Sequence, residues 1–275
     1  MMDAVSLARK ALLDGLEALH DHLNAVIVVG AQAIYLHTGE AQVALAAYTT
    51  DGDIAIDPGL LGTDPLIEEA MREAGFEPIK DAIGSWESAL GSQVDLMVPA
   101  AVAGKGKKTS RGVDAPPHAR HAMRRTKGLE AALIDNSVMT ITETDPAVDT
   151  RSFDVKVAGP AALLIAKLHK ISERLDQPNR IDNKDAHDVY RILVAIETAE
   201  LAETTRRLLT EPVSAEITEE AIELLRQLFG TSDATGSRMA AAAEERLGDP
   251  EQVALAASIL AQDLLVALHD VAGER

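Results

Sequence analysis

Four positions in this chain combine side-chain type and spacing in a way that suits chemistry. Asp51 and Asp53 lie in Thr49-Thr50-Asp51-Gly52-Asp53-Ile54-Ala55-Ile56, and Asp95 lies in Gln93-Val94-Asp95-Leu96-Met97-Val98-Pro99. Gly30 follows an apolar run in Val26-Ile27-Val28-Val29-Gly30-Ala31-Gln32-Ala33. Residues i and i+2 of a strand share a face, so Asp51 and Asp53 present two carboxylates side by side. Like charges that close repel unless a cation lies between them. Mg²⁺ is a hard cation that prefers carboxylate oxygens and keeps positions open for water and phosphate. Asp95 interrupts an otherwise apolar strand, where a carboxylate without a partner is costly to bury, and it supplies a third ligand. At Gly30 a helix starts directly after a strand. Its free N–H groups and partial positive charge suit an anion, and glycine admits a triphosphate close to the backbone. Together these features suit metal-assisted transfer of a nucleotidyl group, with two metals held by Asp51, Asp53 and Asp95.

The elements that must position these residues read as a mixed α/β half of roughly 155 residues followed by helices. Strands are expected at 25–29 and 49–56, with a short helix over 31–38 between them. Asp64-Pro65 predicts a helix opening at Pro65, running to about Ala74 and ending at Gly75. Shorter strands are expected at 76–80, 85–90 and 93–98, the last two joined at Gly91-Ser92 as a hairpin, and further strands at 137–142 and 151–157. Gly159-Pro160 then punctuates the chain, and Leu163, Leu164, Lys167, Leu168 and Ile171 fall at helical spacing. After a break at Gln177-Pro178-Asn179, helices are expected through Val189–Ile196 and over 200–210, 213–229, 235–247 and 250–271. The predicted organisation is an α/β domain over 1–157 and a helical bundle over 158–275.

Hydrophobic residues make up 47% of the 275 and aromatics only 3%, so a core must be built from Ala, Leu, Val and Ile. No apolar run approaches the ~18–20 residues that span a bilayer, and the N-terminus reads as an amphipathic helix rather than a signal peptide. The chain has no cysteine, which excludes disulfides and thiolate metal sites and fits a cytoplasmic setting.

A formal charge of −18 argues against a polyanionic partner, yet the charge is unevenly spread. Residues 101–130 hold Lys105, Lys107, Lys108, Arg111, Arg120, Arg124, Arg125 and Lys127 against Asp114 and Glu130, a net of about +6. The rest of the chain carries about −24. A basic segment in an acidic body is a local patch that can bind anions, or else a solvated loop. The stretch Gly104-Lys105-Gly106-Lys107-Lys108-Thr109 lacks the spacing of a Walker A loop, and the eight histidines show no metal-ligand spacing.

The arrangement resembles the nucleotidyltransferase superfamily (the DNA polymerase β-like fold). Val29-Gly30 matches its glycine turn, Asp51 with Asp53 its Asp-x-Asp strand, and Asp95 its later strand carrying a third Asp. More narrowly, the chain is similar to the AbiEii/MenT-type nucleotidyltransferase toxins. Leu163-Leu164-Ile165-Ala166-Lys167-Leu168-His169-Lys170 is similar to that family's helix with a functional Lys. Arg180-Ile181-Asp182-Asn183-Lys184-Asp185-Ala186-His187-Asp188-Val189-Tyr190 is similar to its downstream Lys-Asp-x-x-Asp motif. The resemblance covers roughly residues 25–195 and implies a nucleotidyltransferase-like mixed sheet with a C-terminal helical bundle.

It implies catalytic roles for Asp51, Asp53, Asp95, Lys167 and Asp185, with Lys167 pairing a phosphate and Lys170 in reserve on much the same face. Gly30, Ala31, Gln32, Lys170 and Asp188 would contact the nucleotide, and Asp185 and Asp188 would orient Lys167. Lys105, Lys107, Lys108, Arg111, Arg124 and Arg125 would guide an RNA backbone. The implied protein is a toxin of a toxin–antitoxin or phage-defence pair. It would use Mg²⁺ and a nucleoside triphosphate to extend an RNA such as the tRNA 3′ end, and it would have a cognate antitoxin. Two other readings stay open. Overall acidity suits a cationic small-molecule acceptor, as in aminoglycoside nucleotidyltransferases. Ala31-Gln32, standing where Gly or Ser followed by Thr or Ser is more usual, suits a non-catalytic nucleotide-binding protein of the same fold.

Overall fold

Val26-Ile27-Val28 is apolar at every position, and it forms a strand, β1 (Val26–Val28), buried at all three residues. The computed structural model describes residues 4–39, 51–105, 111–143, 147–175, 177, 182–244 and 249–269. Contacts divide the chain into two compact units, Met1–Ala33 with Ala47–Ala158, and Ile34–Ala46 with Gly159–Arg275.

The first unit is built on a mixed sheet. Its other strands are β2 (Asp51–Ile56), β3 (Phe76–Pro78), β4 (Ser85–Ser88), β5 (Gln93–Pro99), β6 (Arg124–Thr126), β7 (Asn136–Thr142) and β8 (Ser152–Ala158). The order is β3-β4-β5-β2-β1-β8-β7, with β6 also paired to β5. β2 runs parallel to β5 and antiparallel to β1, and β1 runs parallel to β8. A sheet with parallel neighbours needs cover, and helix α1 (Ala4–Ala18) supplies it over β2 and β5. Small residues set how close that cover comes. A Cβ at Gly52 would stand 3.0 Å from the Leu12 Cα, and one at Gly15 would meet Val94 Cγ2 at 3.0 Å and Ile54 Cδ1 at 3.3 Å. Gly52, Ile54 and Val94 thus face α1, and strand alternation turns Asp51, Asp53 and Asp95 to the opposite face.

Most expected strands are present at or near their predicted bounds, and the hairpin of β4 and β5 turns at Gly91, whose φ is +83°. Two expectations are corrected. The helix predicted from Pro65 begins at Ile67, as α3 (Ile67–Glu73), because Leu66 is extended (φ −69°, ψ 142°). The Pro65 carbonyl is taken by His22 Nε2 at 2.8 Å instead of opening the helix. The basic segment is also more than a loop. Arg124-Arg125-Thr126 forms β6, parallel to the end of β5, where Met97 pairs Arg124 and Val98 pairs Arg125.

The second unit is helical: α4 (Pro160–Leu175), α5 (Asn183–Ala195), α6 (Thr198–Thr210), α7 (Ala215–Phe229), α8 (Thr235–Ala243) and α9 (Pro250–His269). The predicted stripe of Leu163, Leu164, Leu168 and Ile171 is buried in α4. By length and composition α9 could cross a membrane, against the sequence expectation that no segment would. Its Val253, Ala254, Ala257, Ala261, Leu264 and Leu265 are buried against the bundle, while Leu255, Ile259 and Val266 on its other face are exposed. The C-terminal half of helix α2 (Gly30–Thr38) belongs to this unit too. Arg191, 1% exposed, donates from Nε to Thr38 Oγ1 (2.7 Å) and from its NH2 nitrogen to Thr38 O (2.8 Å). A guanidinium there satisfies a terminal carbonyl and complements the negative end of the helix.

Candidate active site

The parallel pairing of β2 with β5 sets Asp51 beside Gln93 and Asp53 directly opposite Asp95. Equal strand parity puts all three carboxylates on one face of neighbouring strands, each partly exposed. The Val29 amide donates to Asp53 O at 3.0 Å, which locks the glycine turn to the same strand. Gly30 itself has φ +70°, and a Cβ there would lie 2.0 Å from Asp53 Oδ2 and 2.7 Å from Asp53 Cβ. The need for glycine is therefore met within the protein, by the approach of the Asp53 carboxylate at the start of α2. Gly30→Ala is expected to cost the first unit about 1–3 kcal/mol and to displace Asp53, read as a lowered thermal midpoint.

Asp95 is not alone on its strand. Its Oδ1 accepts from Ser85 Oγ at 2.6 Å, and its Oδ2 accepts from the Arg124 NH2 nitrogen at 2.8 Å. Among the described residues no group of three or more His, Cys, Asp or Glu side chains converges on a common point as metal ligands would. The donor chemistry still fits a hard divalent cation at Asp51 and Asp53. Asp95 would join that set with the Arg124 guanidinium already on its Oδ2 and Ser85 on its Oδ1.

Of the residues expected to touch a nucleotide, Gly30, Ala31 and Gln32 form the first turn of α2. The Gln32 side chain is 1% exposed, and its Oε1 accepts from Arg9 Nε at 2.9 Å. What this turn offers a ligand is its backbone N–H groups. Among the residues expected to meet RNA, Lys105 and Arg111 are exposed. Lys107 and Lys108 lie outside the described residues. Arg124 is paired with Asp95, and Arg125 donates to the carbonyls of Ala100 (3.1 Å), Ala103 (3.1 Å) and Gly104 (2.8 Å). Arg124 thus ties the segment to β5, and Arg125 ties it to the 100–104 stretch that follows that strand.

In the second unit, α4 and α5 bring Lys167 together with Asp185 and Asp188. Lys167 Nζ donates to Asp185 Oδ1 at 2.8 Å and lies 2.6 Å from Asp188 Oδ2, and all three residues are buried. Burial alone disfavours the ammonium, but the two carboxylates outweigh it and hold Lys167 above the usual lysine range. Burial likewise opposes the Asp185 carboxylate. Lys167, Lys170 and Arg174 overcome it and hold Asp185 well below the usual range. Lys170 Nζ is 3.5 Å from Asp185 Oδ1, with its side chain 42% exposed. Burial, then the Asp188 charge, pushes the Tyr35 phenol up to about 12.

A depressed aspartate contributes stability that is present above its unfolded pKa of about 4 and lost as pH falls toward its folded value. The difference in thermal midpoint between the wild type and Asp185→Asn is therefore expected to hold steady near neutrality and to shrink below about pH 4. A gap that stays constant into acid would contradict this assignment.

Sequence reasoning missed the partners of Asp95. A two-residue turn at Gly91-Ser92 would set Ser88 opposite Asp95; the turn instead closes between Ser88 and Ser92, and that register brings Ser85 to Asp95. Arg124, 29 residues away, gave no local signal. This chain matches no family model, no curated protein and no solved structure.

Proposed function

We propose that the protein is a Mg²⁺-dependent nucleotidyltransferase of the nucleotidyltransferase-like fold. The observation that carries this reading is the register that sets Asp53 opposite Asp95, with Asp51 on the same face and the Gly30 turn held against Asp53. Asp51 and Asp53, joined by Asp95, would hold the metal. When bound, the metal would activate an acceptor hydroxyl and stabilise the charge on departing pyrophosphate. The first-turn N–H groups of α2 receive the triphosphate, where backbone donors and the helix dipole favour an anion.

The acceptor in this proposal is an RNA end such as the tRNA 3′ terminus, and the biological role is that of a toxin held by an antitoxin. Exposed Lys105 and Arg111 support a polyanionic acceptor, because cations in an otherwise acidic chain draw phosphate to one place. Incubation of the full chain with total RNA and each labelled nucleotide in turn tests the reading. Transfer of one nucleotide, weakened by rising salt, is the expected result; transfer to a small cationic acceptor with a flat salt response would redirect the proposal to that acceptor. Growth arrest on expression, relieved by a neighbouring gene, would support the toxin role.

A second reading is favoured by one observation, the engagement of both Asp95 oxygens by Ser85 and Arg124. In it the fold binds nucleotide without turnover. Calorimetry showing Mg²⁺-dependent nucleotide binding, with no labelled product from any nucleotide, would favour it.

A further inference from the structure

Arg124 reaches Asp95 through a local construction that the proposed chemistry does not itself require. Arg124 pairs with Met97 in parallel register, two residues beyond Asp95 on β5, and so falls on the carboxylate face of the sheet. β4 occupies the same edge of β5 up to Ser85, and Gly84 makes room for β6 to follow. With φ +78° at Gly84, a Cβ there would meet the Arg124 amide nitrogen at 2.5 Å and the Arg124 Cβ at 2.7 Å. The Gly84 amide donates to His121 O (3.1 Å), and its carbonyl accepts from the Leu96 amide (2.7 Å), which fixes the junction. The Arg125 amide donates to Arg111 O at 2.7 Å, which holds β6 from its other side. The Arg124 and Asp95 side chains keep 28% and 26% of their surface, so the pair remains open to exchange with solvent ions.

We propose that Arg124 is a built-in counter-cation for Asp95, a positioning residue that competes with the divalent metal for the third carboxylate and so sets the affinity of the site. The inference rests on the metal-binding reading above. A guanidinium on Asp95 keeps three neighbouring carboxylates from repelling one another before metal arrives. A guanidinium 2.8 Å from Asp95 Oδ2 takes up part of that carboxylate's charge and repels a divalent cation beside it, so its presence lowers metal affinity. Ser85 holds the other oxygen, so the carboxylate keeps its orientation as metal binds.

Titration of the full chain with Mn²⁺, followed by electron paramagnetic resonance of the free ion, reads this without any turnover. Arg124→Met, which keeps the aliphatic stem and removes the charge, is expected to bind Mn²⁺ about 3–10-fold tighter than the wild type, the range for losing a partly exposed charge-assisted pair. Arg124→Lys restores a cation and is expected to return affinity to within about 2-fold of the wild type. Adding Asp95→Asn to Arg124→Met should erase the gain. Should Arg124→Met fail to fold by circular dichroism, Arg124→Gln carries the same comparison. Equal or weaker binding by the charge-removed variant, with wild-type binding still lost in Asp53→Ala, overturns the inference and leaves the metal site standing. Absence of Mn²⁺ binding in both the wild type and Arg124→Met overturns the metal reading, and the inference with it.

Discussion

Under the proposed function, Asp53→Ala is expected to lower nucleotide transfer by at least about 10²–10³-fold. Asp53 is the residue on which the other parts of the first unit converge. Its backbone carbonyl receives the Val29 amide, its carboxylate lies against Gly30, and its strand partner is Asp95. Loss of that carboxylate removes a proposed metal ligand and the group around which the glycine turn is shaped. Fold stability should hardly move. Asp53 is only partly buried and the substitution removes no apolar packing, so the change should stay within about 1 kcal/mol. Parallel measurement of labelled-nucleotide transfer and of the thermal midpoint separates the two effects. Undiminished transfer by Asp53→Ala would remove the proposed function, and a large loss of stability would make Asp53 a structural residue.

Lys167→Ala is expected to lower the stability of the helical unit by about 3–5 kcal/mol. The cause is the pair of carboxylates left behind. Asp188 is fully buried with Lys167 in contact, and the Lys184 charge also acts on it; Asp185 keeps Lys170 and Arg174. Removing one partner of a buried ion group costs more than the pair contributes, because the remaining charge stays out of water. The double change Lys167→Met with Asp188→Leu should therefore recover much of the loss, since Asp185 retains two cations and the buried Asp188 charge is gone. Denaturant unfolding of the single and double variants reads both numbers. A single variant as stable as the wild type would show that the triad is not holding α4 to α5.

How much of this was legible in the sequence depends on the range of the interaction. Alternation within a strand put Asp51 and Asp53 on one face, and it needed no partner to be read. The hairpin of β4 and β5 followed from Gly91-Ser92, and the helical stripe of α4 from the spacing of Leu163, Leu164, Leu168 and Ile171. The false helix start at Pro65 came from a local signal overruled by a distant one, the hydrogen bond from His22. β6 was invisible because Arg-Arg-Thr carries no hydrophobic period, and its place is set by pairing with β5 and by the space at Gly84.

The sequence alone determined the kinds of group present: three strand carboxylates, a glycine after a buried strand, and a lysine with two aspartates at helical spacing. Those facts depend on residue identity and on periods of two or three to four residues, which any chain segment carries with it. Only the tertiary structure decided which charges meet. It set Asp53 opposite Asp95, turned Gln32 inward to Arg9, closed Lys167 between Asp185 and Asp188, and gave Asp95 to Arg124. Register between strands and contacts between helices are fixed by packing across tens of residues, and a carboxylate's chemistry depends on the cation that packing sets beside it.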